Sequence, residues 1–212
     1  MLCLGLVAPC VAGASASTFA EVPDAGQSLG TAQALGGGVD TITGSLSGDA
    51  DMFSFYWGGG DFYVNSVGTP WDSQLFLFNG AGQGVQANDD GIAFAGPAYL
   101  QLSGLAAGFY YLAITSYNLD PYSAAGLMFS SNTAGCPASG FGCLEPPLND
   151  GSLDHWAGTS YHSGDYQINF STTTSDGHLG NPNPTGAPVP EPGTLLLVGS
   201  ALVTAASRLR KS

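Results

Sequence analysis

Apolar residues in this chain come in short runs that alternate with polar ones and are cut every few positions by glycine, asparagine or aspartate. That spacing constrains the fold more than any other feature, because a period of two puts successive side chains on opposite faces of a strand, whereas a helix needs a 3.6-residue period over several turns. In DMFSFYW, Phe53, Phe55 and Trp57 share one face, and in GDYQINFS, Tyr166, Ile168 and Phe170 alternate with Gln167, Asn169 and Ser171. In GFYYLAIT both faces are apolar, Tyr110, Leu112 and Ile114 opposing Phe109, Tyr111 and Ala113, so this strand is expected to be covered on two sides. Further strands are expected from Val39 to Leu46, Phe62 to Val67, Gln74 to Phe78 and Tyr99 to Leu102, with FNGAGQG and NDDG as turns. Seven or eight short strands at this spacing imply an all-β, antiparallel β-sandwich.

Charge narrows the function classes. Sixteen acidic residues face three basic ones, a formal net charge of -13, and all three basic residues, Arg208, Arg210 and Lys211, lie at the C-terminal end. Between Met1 and Ser207 no Lys or Arg is available for a salt bridge. Such a body repels polyphosphates, which excludes nucleic acid as a partner. Only 9% of residues are charged and 32 are glycine, a composition that favours an exported, turn-rich β protein over a cytosolic helical enzyme.

The N-terminal residues fit export. An apolar run from Leu2 to Ala12 precedes Ala14-Ser15-Ala16, a small-x-small site for signal peptidase, so residues 1–16 read as a signal peptide. A basic n-region is missing, which places the expected start upstream of Met1; the competing reading is a buried N-terminal helix, weakened by Pro9. Val7-Ala8-Pro9-Cys10 lacks the small residue a lipoprotein box needs before its cysteine. Removal of the signal takes Cys3 and Cys10 with it and leaves Cys136 and Cys143, expected to close a disulfide loop; a metal site is the alternative, without further ligands at short spacing.

Carboxylates are the only charges in the body. Asp49 and Asp51 in GDAD and Asp89 and Asp90 in NDDG occupy expected loops and are candidate calcium ligands, because a hard cation takes several oxygens from such turns. Asp72 and Asp120 are weaker candidates, and Asp40 and Asp61 read as turn or surface residues. The competing role for all of them is to hydrogen-bond their own backbone. His155 and His162, near Asp154 and Asp165, sketch an acid-base pair for a secreted hydrolase, but HExxH and P-loop motifs are absent and loop histidines are the plainer reading. His178 sits in a Gly, Pro, Ser and Thr stretch at 172–188 with linker composition. Trp57, Trp71, Trp156 and nine tyrosines either fill the sandwich or, where exposed, can stack on sugar rings.

In order, AGQSLGTAQAL, GSLSGDADMFSFYW, DSQLFLFNGAGQGVQANDDG and LQLSGLAAGFYYLAITSYNLDP make the stretch from Asp24 to Pro121 similar to the bacterial pre-peptidase C-terminal domains, with HSGDYQINF as a closing strand. The resemblance implies a jelly-roll-like sandwich over residues 17–171 and a non-catalytic accessory module, which in some relatives binds calcium or polymeric ligands. Residues from Tyr122 to Tyr161, with the cysteine pair, depart from it and read as an insertion.

The tail has three ordered parts. Pro190-Glu191-Pro192 is stiff and extended, open to a processing enzyme; the run from Gly193 to Ser207 carries no charge; Arg208, Arg210 and Lys211 then resist translocation and act as a cytoplasmic stop. As a helix that run reaches about 22 Å at roughly 1.5 Å per residue, short of a hydrocarbon core of about 30 Å, a gap that snorkelling and local thinning would cover. A water-soluble amphipathic helix is the alternative, and the run leaves it no polar face. Residues 189–212 resemble the PEP-CTERM sorting signal of Gram-negative bacteria, a motif that also goes under an ice-binding-protein C-terminal label. That resemblance implies exosortase as partner, a short transmembrane helix in the inner membrane during sorting, cleavage near the triplet, and a final place in the envelope, on the surface or in the extracellular matrix. The combined expectation is a non-catalytic exported surface or matrix protein, with exopolysaccharide as an external partner; a calcium-dependent carbohydrate-binding or adhesive module is the alternative, and a secreted hydrolase the second.

Overall fold

The computed structural model describes residues 17–91, 96–130 and 144–170, and among them every regular element is a strand. The signal peptide, Cys136 and Cys143, the linker and the sorting signal lie outside the described residues. One five-stranded sheet has the order β1 (Ser17–Ala20), β3 (Val39–Leu46), β13 (Gly164–Phe170), β5 (Gly60–Asn65), β8 (Tyr99–Leu105). A second has β2 (Gln33–Ala34), β4 (Asp51–Trp57), β9 (Gly108–Ser116), β6 (Ser73–Asn79), β7 (Gly84–Asn88). A small third sheet joins β11 (Gly126–Leu127), β10 (Leu119–Ser123) and β12 (Leu153–Gly158). All seven runs singled out by alternation form strands, with ends that differ by a few residues, and the body is sandwich-like and all-β.

The inner faces of the two large sheets meet in the main core. Phe53, Phe55 and Trp57 of β4 face Ile42 and Leu46 of β3, Phe62 and Val64 of β5, and Ile168 and Phe170 of β13. Phe55 packs against Phe62 and Phe170 with ring centroids 5.9 and 5.8 Å apart. Each fully buried aromatic or aliphatic side chain contributes roughly 1.5–3 kcal/mol. Strand β9 pairs with β4 and β6, and its alternate residues face two cores: Leu112 and Ile114 point to the main one, Ala113 to a second on the far side of the sheet. There Met52, Phe76 and Phe78 are covered by Met128, Phe129 and, from β12, Trp156, whose indole lies 5.5 Å from Phe76 and donates to the Gln27 carbonyl at 2.7 Å. Part of the 122–161 stretch covers the second face of GFYYLAIT at Ala113 and partly at Tyr111, whereas Phe109 is exposed, so the two-faced burial expected there holds only towards the C-terminal end of the strand. Asn79 organises the FNGAGQG turn, its side-chain oxygen accepting the Ala81 and Gln83 amides at 2.9 and 3.1 Å.

The sheets are mixed, which corrects the expectation of a purely antiparallel sandwich. Strand β1 runs parallel to β3 and β2 parallel to β4. The reason is that the N-terminal segment adds one edge strand to each large sheet, and neither of these strands reaches its neighbour through a hairpin. The segment crossing from β1 to β2 therefore spans the end of the sandwich, and it carries Glu21 and Asp24.

Candidate metal centre

Asp51 opens β4 in the same parity as Phe53, Phe55 and Trp57, so its carboxylate is directed to the inner face with them. It is 0% exposed, and neither of its side-chain oxygens has a partner at hydrogen-bond geometry; the Tyr166 hydroxyl, which donates to Glu21, lies close enough to act on it electrostatically. Across the sandwich, Phe19 of β1 packs edge-on against Phe53 with centroids 6.2 Å apart. Glu21 stands two residues after Phe19 and Asp51 two residues before Phe53, so this aromatic contact helps to set one carboxylate beside the other. The chain stays in register past β1, since the Glu21 amide donates to the Thr43 carbonyl at 2.9 Å.

Glu21 is held from three sides. Its Oε1 accepts the Ala25 amide at 2.5 Å, and its Oε2 accepts the Ser45 amide at 3.0 Å and the Tyr166 hydroxyl at 2.9 Å. The Pro23 carbonyl, between Glu21 and Asp24, accepts the Gln33 side-chain amide and ties the crossing segment to β2. Glu21, half-buried, Asp24, exposed, and Asp51, buried, bring one ligand oxygen each to within 4.8 Å of one another. Gly44 leaves room for this packing: a Cβ there would fall on Glu21 Oε2 and the Tyr166 hydroxyl, which would have to move aside.

Electrostatics make the arrangement costly without a cation. Burial, then Glu21, Asp24 and Asp49, push the Asp51 carboxyl up to about 8, while the Tyr166 hydroxyl pulls the other way. Burial first, then Asp51 and Glu21, raise Tyr166 well above an ordinary phenol. An orphaned, fully buried carboxylate beside two more, in a body without Lys or Arg, fits a hard divalent cation with all-oxygen ligands. Calcium suits the set, with backbone carbonyls or water completing six to eight oxygens. Bound there, it would join the edge of one sheet to the first residue of a strand in the other.

The sequence-read ligands divide between two places. Asp51 enters the centre; Asp49 lies close enough to raise it and accepts the Ser47 hydroxyl at 3.0 Å. Asp89 and Asp90 instead belong with Asp72, Asp120 and Glu145, a second acidic group. Burial first, then Asp72, Asp90, Glu145 and Asp120, lift Asp89 to about 7, and burial followed by Asp120 lifts Glu145 to about 7. Asp72 and Asp120 are raised chiefly by burial, Asp120 being partly relieved by the Gln74 amide at 3.2 Å. Asp40 and Asp61 accept the amides of Ser17 and Gly104, at 2.8 and 3.0 Å. Glu21, Asp24 and Tyr166 escaped the sequence reading, although the parity of Asp51 with three core aromatics was a signal that its carboxylate needs a partner.

The histidines have different neighbours. His155 sits 3.0 Å from Asp154, both exposed, and stacks on Tyr122, whereas His162 stacks on Trp71. Among the described residues no helix is long and apolar enough to cross a membrane.

Comparison with known families finds the PEP-CTERM protein-sorting motif over residues 188–211, which include Pro190, Glu191, Pro192 and the three basic residues. The chain carries an exosortase sorting signal. The PEP-CTERM motif indicates an exported protein with exosortase as its sorting partner, passing through membrane-associated sorting to a cell-surface location. No curated protein matches the chain. The PEP-CTERM match covers the tail alone, so the role of the body rests on its own geometry.

Proposed function

We propose that the body is a non-catalytic, calcium-stabilised surface module that exosortase delivers to the envelope or extracellular matrix of a Gram-negative bacterium. The observation that carries this reading is Asp51, fully buried, with both oxygens unpartnered and facing Glu21 and Asp24. It favours the calcium-dependent alternative over a cation-free module. The mixed two-sheet sandwich is compatible with the jelly-roll-like fold of pre-peptidase C-terminal domains, to which we assign the body. Calcium acts here as a clamp between sheets, with no substrate chemistry assigned to it. The tail would be held as a short membrane helix and then cut near Pro190-Glu191-Pro192.

Two measurements test the reading. Thermal melts of the purified protein in calcium and in EDTA should differ by several degrees, and coincident curves would remove the clamp. Mass spectrometry of the mature C-terminus should find Arg208 to Ser212 lost in exosortase-positive cells and retained without exosortase; retention in both would remove processing.

A further inference from the structure

An open groove of about 550 Å³ starts at Glu21 and Tyr166 and runs past Ser45, Asp165 and Gln167 to Gly68 and Pro70. This volume is within the ordinary range for ligand clefts, about 300–1,000 Å³. Beyond Pro70 the surface turns aromatic. Trp71 is partly exposed, and its indole donates to the Asp165 carbonyl at 3.1 Å, which fixes the ring at the end of the groove. His162 lies nearly parallel to it, 15° off with centroids 6.4 Å apart. The next pair follows directly in the chain, Tyr161 with Tyr117, 26° off and 6.0 Å apart. Tyr161 is 62% and Tyr117 42% exposed.

The loops that carry these rings are held by part-buried hydrogen bonds. Ser116 Oγ accepts the Tyr161 and His162 amides at 2.9 and 3.2 Å and contacts Ser160 Oγ at 2.8 Å. The Tyr117 amide donates to the Asp72 carbonyl at 3.0 Å, joining the two aromatic loops. Ser116 is 0% exposed, so the loops hang on a buried anchor. Preorganised aromatic platforms cost little entropy on binding and offer apolar faces with polar edges.

We propose that this groove and its four rings bind a polysaccharide of uncharged sugars. Sugar rings present an apolar C–H face to stack on Tyr161 and Tyr117, and hydroxyl groups to pair with the carboxylate, amide and hydroxyl groups of Asp165, Gln167 and Ser45. Charge excludes one polymer class: with no Lys or Arg from Met1 to Ser207, and with Asp165 in the groove, an acidic polysaccharide meets only like charge. The proposal rests on the reading of the body as a non-catalytic surface module and is independent of whether Asp51 binds calcium.

Affinity electrophoresis of the purified protein through gels holding β-glucan, galactomannan, xylan, alginate or chitosan tests it, each run in calcium and in EDTA. At least one of the three neutral polymers should retard the protein. Tyr161→Ala and Tyr117→Ala should each weaken that binding about tenfold, a loss near 1.4 kcal/mol, while Tyr161→Phe retains it. Phe109→Ala is the control: Phe109 is also exposed, but it stands at the other end of β9, about 27 Å from Tyr117 at roughly 3.4 Å per residue. Melting curves confirm that each variant is folded; should one alanine variant not fold, the other carries the comparison. Retardation by none of the neutral polymers, by alginate or chitosan alone, or equally with every alanine variant overturns the proposal. Loss of glycan binding with an intact calcium response leaves the module reading standing and removes this inference alone.

Discussion

The two acidic groups make opposite use of the same kind of residue. At one end, Glu21, Asp24 and Asp51 converge, and Asp51 has lost both water and hydrogen-bond partners. In the other group, Asp72, Asp89, Asp90, Asp120 and Glu145 also repel one another, and Asp72 and Asp89 each leave one buried oxygen unpartnered, but both stay partly exposed and Gln74 donates to Asp120. Without a cation both groups relieve repulsion by taking up protons, and the convergent one also offers a cation several oxygens at once. Convergence, and not the number of carboxylates, is what makes the first group the candidate metal centre.

The largest effect should come from Asp51. Calcium at a hundredfold excess over its Kd stabilises a folded protein by about 2.7 kcal/mol, and Asp51→Asn should erase that gain while leaving the EDTA form as stable as wild type or more so. Melts in calcium and EDTA read both numbers; an unchanged calcium response in the variant would falsify the assignment. Gly44→Ala comes next. Its Cβ would displace Glu21 and Tyr166, so destabilisation of about 1–3 kcal/mol together with a weakened calcium response is expected. Destabilisation with the full calcium response intact would separate Gly44 from the centre.

The second group predicts a pH effect in EDTA. Asp89 and Glu145 hold protons up to about 7 in the folded state, and Asp51 up to about 8, whereas an unfolded carboxyl gives its proton up near 4. Between those limits the native state binds more protons, so stability falls as pH rises from about 4 towards 8. Asp89→Asn should flatten the slope between pH 5 and 7; a slope of the opposite sign would show that these carboxylates are better solvated than the fold indicates. The smallest effect belongs to the His155–Asp154 pair. Both side chains are exposed, so His155→Ala should change stability by less than about 0.5 kcal/mol and leave the calcium response alone. A larger loss would point to the Tyr122 stack as its source.

The strands were readable because alternation is local: Phe53, Phe55 and Trp57 declare a face within one heptapeptide. The parallel edge pairs were not, since β1 and β2 are too short to show a period, and their partners are fixed by where the N-terminal segment crosses the sandwich. The centre was half legible. Asp51 is a candidate from its GDAD loop, but Glu21 and Asp24 sit in EVPD, which has no ligand pattern of its own and joins the candidate centre only where Phe19 meets Phe53. Asp89 and Asp90 differ: adjacent acids in a turn invite a cation reading, and the fold sets them with Asp72, Asp120 and Glu145, whose charges together with burial raise Asp89.

Isothermal titration of calcium into the EDTA-stripped protein at pH 8 tests the central claim most directly. One saturable binding event per chain is expected for the wild type, with none in Asp51→Asn and a sharply weaker one in Glu21→Gln. A flat wild-type isotherm, or one that both substitutions leave unchanged, contradicts it.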